Sequence, residues 1–269
     1  MSTSASIFSR NIATLVPRRL RGWVLPTALL GYWWAAYFFG WTDSQLFVPV
    51  QRVFERAHEL SASGELWLAL SSSLGRMAKG FVIGASAGLV FGGALGLLRL
   101  FDRMVGPTFH TLKQISLFAW IPLISVWFGM GEQGKVVFLA LSAFFPVVLN
   151  TYEGVRGVAR EFVEVGKTFA FSRLQVVTRI VLPAAMPSIF TGIYLALIYS
   201  WLACLGAEYL LSAAPGIGTL LIDGQEHFWM DQVLLGVIIV GAVGLVLNLS
   251  ANFIESRLLR WRGASTASY

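Results

Sequence analysis

The chain has 269 residues, 56% of them hydrophobic and only 13% charged, with a mean hydropathy of +0.70. So few polar side chains do not cover a water-exposed globule of this length, and a soluble single-core protein is not expected. One cysteine, Cys204, forms no intrachain disulfide, and His58, His110 and His227 show no metal-ligand spacing.

A helix crossing a bilayer needs about 20 apolar residues, because lipid offers its backbone no hydrogen-bond partner. In chain order, runs free of Asp, Glu, Lys and Arg cover residues 23–41, 80–98, 114–131, 136–152, 184–207 and 232–254. These predict six transmembrane helices in an all-α membrane protein. The first run has arginines in front of it, yet it exceeds a secretory h-region and lacks a small-residue cleavage site, so it reads as a retained anchor. Residues 66–74 read as a helix leading into the second span. The third run carries Pro122 and, like the fourth, is short.

Lysine and arginine placement sets the orientation. With both termini cytoplasmic, the inner segments 1–22, 99–113, 153–183 and 255–269 hold 15 of the 20 basic residues, and nine of the 14 acids fall outside. The formal charge of +6 therefore reads as membrane topology, and nucleic acid is not expected as a partner because no basic stripe forms.

The second span carries Gly80, Gly84, Gly88, Gly92 and Gly96, one glycine every fourth residue. That spacing makes one stripe along a helix where a neighbouring backbone comes close. Packing within the chain and a surface that slides during a conformational cycle both fit it. No span has an Asp, Glu, Lys, Arg or His near its middle, where proton-driven carriers and pumps place them. Hydroxyl and aromatic groups stand there instead, and Ser116, Ser125, Tyr194, Tyr199 and Ser200 are candidate pathway residues. A mildly polar path of this kind suits a conduit powered by other subunits. The outer segment 208–231 contains Pro215, Gly216, Ile217 and Gly218 between apolar flanks; it fits either a partly re-entrant, mouth-lining segment or a loop packed on the bundle.

Gly166, Lys167 and Thr168 resemble the end of a phosphate-binding loop, but Glu161 stands where that motif needs its first glycine. ATP binding by this chain is not expected. The region reads better as two helices joined by a turn. Ser172 and Gln175 have capping-box spacing; the second helix runs from Arg173 towards Leu182, and Pro183 discourages continuation. Such a helix pair is either a solvated connector or a shape that docks into another protein.

Glu164, Ala170, Ile180, Leu182 and Pro183 keep the spacing of the E-A-A-x-x-x-G-x(9)-I-x-L-P loop. That loop marks permease subunits of bacterial binding-protein-dependent ABC importers, which this chain resembles. Val165 and Gly166 replace the two alanines and Ala170 replaces the glycine. Further blocks resemble the aliphatic-sulfonate, taurine and nitrate branch: Ser63 to Trp67, Trp120 to Leu123 with Trp127 to Gly129, Phe144 to Pro146 with Leu149 to Tyr152, and Pro215 to Gly218. The resemblance covers residues 63–262.

It implies the ABC importer permease fold with cytoplasmic coupling helices in a bacterial inner membrane. Residues 1–62 would form a cytoplasmic segment, anchor helix and periplasmic connector, 63–262 the permease core with its coupling loop at 153–183, and 263–269 a cytoplasmic tail. Its implied partners are a periplasmic or lipid-anchored solute-binding protein, two cytoplasmic ATP-binding subunits and a second permease copy. The ATPases would grip the loop formed by Glu164, Val165, Gly166, Ala170, Ser172, Ile180, Leu182 and Pro183. In that reading the chain holds no cofactor and is not an enzyme, ATP and Mg belonging to the ATPase, and the homodimer partner gives the glycine stripe a moving neighbour. Aliphatic sulfonates or taurine are the expected solutes, with nitrate, bicarbonate or a thiamine precursor as the alternative. A secondary carrier, which would work alone, is the rival from another class.

Overall fold

A computed structural model describes residues 27–28, 31–35, 48–211 and 215–258. Most of the first expected span and the tail 263–269 lie outside the described residues. Within them the regular structure is helical: α1 Val50–Ala62, α2 Glu65–Leu97, α3 Arg99–Leu112, a 3-10 turn Leu117–Trp120, α4 Ile121–Phe128, α5 Glu132–Arg156, α6 Arg160–Thr168, α7 Arg173–Val176, a π-helical turn Val177–Val181, α8 Leu182–Leu210, α9 Ile217–Glu226 and α10 Met230–Leu258. Among the described residues, four helices are long and apolar enough to cross a membrane: α2, α5, α10 and the continuous stretch Arg173–Leu210 that ends as α8.

The third expected span is not one straight helix. α3 and the segment Leu117–Phe128 meet at 99°, and the described residues hold a fifth crossing if this bent pair is counted as one. Pro122 starts α4 in its first turn, where a missing amide hydrogen costs nothing, and Gly129 ends it at φ 76°. α2 and α5 run parallel, since Gly80 faces Leu139 and Gly96 faces Val155. The chain between them must therefore travel back along the bundle, and α3 with α4 makes that return.

The second helix of the loop also departs from expectation. It does not stop before Pro183 but runs without a break from Arg173 to Leu210. The π turn at Val177–Val181 resets the hydrogen-bond register just ahead of Pro183, which falls in the first turn of α8. There its lost N–H leaves no gap in the ladder.

α5 is the centre of the bundle. The five glycines of α2 lie along it, with Gly84 against the Ala140 carbonyl, Gly88 against Val147 and Gly92 against Val148 and Thr151. The stripe is thus filled by a helix of the same chain. On the opposite side α5 meets α8 at Gly154 and Gly192; a β-carbon at Gly192 would sit 2.7 Å from the Asn150 Cβ. Val147, Ala143, Leu139 and Phe138 are completely buried between the two. α10 packs outside α8, where Trp201 Nε1 donates to the Val240 carbonyl at 3.1 Å and the Tyr194 hydroxyl to Asn248 Oδ1 at 2.6 Å. α1 is tied to the start of α10 by Arg56, whose guanidinium donates twice to Gln232 Oε1, at 2.7 and 3.2 Å.

Leucine at Gly88 would place Cβ 2.9 Å from Val147 Cβ and 3.0 Å from the Phe144 carbonyl, whereas Gly93 on the same helix faces open space. We expect Gly88→Leu to cost about 1–3 kcal/mol or more through overpacking and Gly93→Leu to be tolerated. Thermal unfolding of the detergent-solubilised protein compares the two, and equal stability would refute the close seam.

Candidate functional site

Three features of the bundle carry chemistry that packing alone does not require. One is the loop joining α5 to α8, the second a buried ionic cluster at the opposite end, and the third a cavity between them.

α6 ends in a Schellman motif: the Phe171 amide donates to the Gly166 carbonyl at 3.0 Å and the Ala170 amide to the Lys167 carbonyl at 2.9 Å. This closure needs a left-handed residue, and Ala170 supplies it at φ 55°. The importer motif has glycine at this position, the residue that adopts left-handed backbone without steric cost. Ser172 then caps the next helix: its hydroxyl accepts from the Gln175 amide at 3.3 Å, and its own amide donates to Gln175 Oε1 at 2.8 Å. The capping box read from the sequence is therefore present.

Gly166 is buried because Ile180 packs directly on it; a β-carbon there would lie 2.5 Å from Ile180 Cδ1. That contact folds α6 back onto the π turn and holds the two helices of the loop together. Outside this contact the loop presents apolar side chains to its surroundings. Phe162, Val165, Phe169, Leu174 and Leu182 are all exposed, and a groove of about 450 Å³ runs between Phe162, Phe169, Ile180 and Pro183. Glu164 stands exposed beside it. A solvated connector would not display this apolar face; a docking element would.

At the other end Arg76 of α2, 4% exposed, holds three elements at once. It forks onto Glu132 at the start of α5, through Nη2 at 2.6 Å and Nε at 2.9 Å, and its Nη1 pairs with Glu208 of α8. The Glu208 carboxylate, 1% exposed, also accepts from the Ser73 hydroxyl at 2.6 Å and the Gly218 amide at 2.8 Å. Ser73 in turn accepts from the Ile217 amide at 3.0 Å, and Arg76 Nη2 reaches the Pro215 carbonyl at 3.3 Å. Gly216 and Gly218 press on this carboxylate so closely that a β-carbon would lie 2.5 Å and 2.6 Å from Glu208 atoms. The Pro215 to Gly218 block is thus a lid on a buried anion: residues 215–218 are strapped to α2 and α8, and α9 leads on from it to α10. Lys135 completes the cluster, fully buried, with no hydrogen-bond partner for its ammonium among the described residues.

Sequence reading placed these charges in outer loops and did not bring them together. The signal was nonetheless present, because Arg76 lies within the 33-residue helix α2 and Glu208 follows a run of small residues without a turn signal.

Between the two ends lies a cavity of about 480 Å³, bordered by the turn after α3 and by α5 and α8. Of the five candidate pathway residues only Tyr199 lines it. Ser200 is completely buried beside Ser142, Tyr194 bonds to α10, Ser125 donates to the Pro122 carbonyl at 2.8 Å, and Ser116 is exposed ahead of the 3-10 turn. Lys113, Ser142 and Asn150 are the other polar residues of its wall.

Residues 80–261 match the family model described as a binding-protein-dependent transport system inner membrane component. The putative aliphatic sulfonates transport permease protein SsuC of Escherichia coli strain K12 is 35% identical over 91% of this chain and 93% of its own length. The bicarbonate transport system permease protein CmpB of Synechococcus elongatus is 34% identical over 73% of this chain and 70% of its own. Among solved structures, the MetNI methionine ABC transporter in inward-facing conformations aligns with a TM-score of 0.56 and 21% identity. The alignment covers 72% of this chain and 96% of that one, so the two share a fold.

Two outcomes follow from the geometry. Arg76→Met leaves the Glu208 carboxylate buried without its cation, and we expect a loss of about 3–5 kcal/mol, partly recovered in the double variant with Glu208→Met. Melting temperatures of the solubilised protein and the double-mutant cycle measure this. Ala170→Gly relieves a left-handed alanine, and we expect it to stabilise the loop by about 1 kcal/mol; slower proteolytic cleavage within 157–181 would record the gain, and faster cleavage would contradict it.

Proposed function

The chain belongs to the family of binding-protein-dependent transport system inner membrane components, and we propose that it is the permease subunit of an ATP-driven importer for aliphatic sulfonates or taurine. The observation that carries the transport mechanism is the α5–α8 loop, a rigid, apolar docking element that its Schellman closure and capping box hold in one shape. In this reading two cytoplasmic ATP-binding subunits, which hold the ATP and Mg, receive the loop around Glu164 to Pro183. A solute-binding protein docks at the Arg76 and Glu208 end, and two copies of the permease form the pathway.

Nucleotide binding by the ATPases shifts the permease between inward-open and outward-open states because the loop fits them differently in each. We assign residues 63–262 to the permease core, with 1–62 as the segment carrying the anchor helix and 263–269 as a cytoplasmic tail. Six spans with both termini cytoplasmic suit the basic loops, the parallel run of α2 and α5, and the bent return through α3 and α4. The sulfonate reading is favoured over bicarbonate by the extent of similarity, 91% of the chain against 73%.

Glu164→Lys reverses charge on the exposed face of α6. We expect at least a tenfold loss of solute uptake, with the ATPase either released or hydrolysing without transport. Uptake and ATPase hydrolysis by the whole complex in proteoliposomes give the answer, and wild-type uptake with normal ATPase binding would overturn the docking role.

A further inference from the structure

The cavity beside α5 and α8 has a composition that selects among solutes. Its wall is apolar except for a few groups, and Lys113 and Tyr199 are the two of these not engaged with the protein. Lys113 caps the C-terminal end of α3, where the chain turns into the bent segment. It is half-buried, yet its ammonium makes no ion pair or hydrogen bond among the described residues. Tyr199, 49% exposed on α8, likewise has no partner for its hydroxyl among them.

The other polar side chains of the wall each make a hydrogen bond within the protein. The Ser142 hydroxyl donates to the Leu139 carbonyl at 2.7 Å, and the Asn150 amide donates to the Pro146 carbonyl at 2.8 Å. Besides the Asn150 Oδ1 acceptor, the free groups are thus a cation and a hydroxyl that can donate, on a wall that includes Phe118, Phe145, Leu149, Leu195 and Leu202.

A half-buried ammonium without a counter-charge is only partly solvated, and it offers donors only. A ligand that satisfies this site carries negative charge on acceptor oxygens and needs none of its own donors met. We propose that Lys113 and Tyr199 form an anion subsite on the translocation path, which holds the head group of an alkanesulfonate while its alkyl chain lies along Phe118, Leu149 and Leu202. A sulfonate has three acceptor oxygens and no donor, and its tail replaces water on the apolar wall. Nitrate or bicarbonate would use the lysine but leave that wall unfilled. The inference rests on the permease reading above and names the residues by which the membrane subunit itself recognises the solute.

The test uses the whole importer reconstituted in proteoliposomes with radiolabelled butanesulfonate. Loss of a charge-assisted hydrogen bond predicts about a tenfold fall in uptake efficiency for Lys113→Gln, with recovery in Lys113→Arg, which a role in packing alone would not produce. Tyr199→Phe, a change at a half-exposed position that threatens folding little, should lower uptake about threefold by removing one neutral hydrogen bond. If Lys113→Gln fails to assemble, Tyr199→Phe decides: the fall supports the subsite, and wild-type uptake overturns it. Wild-type kinetics in both variants, with butanesulfonate carried normally by the unaltered complex, overturn the subsite alone. An unaltered complex that carries nitrate or bicarbonate but not butanesulfonate overturns the sulfonate reading and the subsite with it.

Discussion

The close approach of backbones around α5 is the constraint on which the rest of the structure depends. In lipid, helices gain little from hiding apolar side chains, so association relies on van der Waals contact and hydrogen bonds. Glycine at every fourth position of α2 lets its backbone lie against Leu139, Ala140, Val147 and Val148 of α5, while Gly154 and Gly192 bring α8 in from the other side. Once α5 is clasped in this way, the start of α5 and the end of α8 are brought beside Arg76, and Glu132 and Glu208 come within its reach. The other ends of the same two helices carry the loop of α6 and α7. The cavity is the space left among the turn after α3, α5 and α8.

That tight seam decides what the buried ions can do. A guanidinium shared between two carboxylates in a protein interior contributes little net stability against an apolar alternative, so its value here lies in orientation. Arg76 accepts one arrangement of α2, α5, α8 and the 215–218 strap, because each of its donors has a separate acceptor. Displacing α2 or α8 would leave a buried charge unpaired, since Arg76 and Glu208 are both buried. The cluster therefore favours two-state behaviour: the end of the bundle is either closed over Glu208 or opened far enough for water to replace the lost contacts.

Different parts of this design were legible in the sequence to different degrees. Four of the expected spans and the capping box at Ser172 were readable because each rests on local spacing: hydropathy over about 20 residues, or a hydroxyl three positions ahead of an amide. The glycine stripe was readable as a small face, but periodicity names a face and not its occupant, and the occupant is α5 of the same chain. The bent path through residues 99–128 was hidden because an apolar run reports solvation and not direction, although Pro122 and Gly129 marked its ends. Arg76, Lys135 and Glu208 were misplaced for a related reason. Each lies beyond an uncharged run, and a long helix carries them into the protein instead of into water. Ala170 departed from the motif in a way that composition could not interpret, and only the backbone shows that the position demands left-handed φ.

The continuity of the helix from Arg173 to Leu210 links the three features mechanically. Its 38 residues span about 57 Å at 1.5 Å per residue, with the proposed docking loop at one end, Tyr199 and Leu202 on the cavity wall, and Glu208 in the ionic cluster near the other. A continuous helix transmits displacement without needing a chain of side-chain rearrangements, and its seam with α5 is smooth at Gly154 and Gly192, which suits small sliding movements. The π turn at Val177–Val181 and Pro187 within α8 are the places where it can bend. Both lie on the loop side of Tyr199. The part of α8 beyond Pro187 has no such bend point, so Tyr199 and Leu202 on the cavity wall and Glu208 in the ionic cluster move together. The link between the cavity wall and the Glu208 cluster thus rests on one helical segment, and it does not require the glycine seam to come apart.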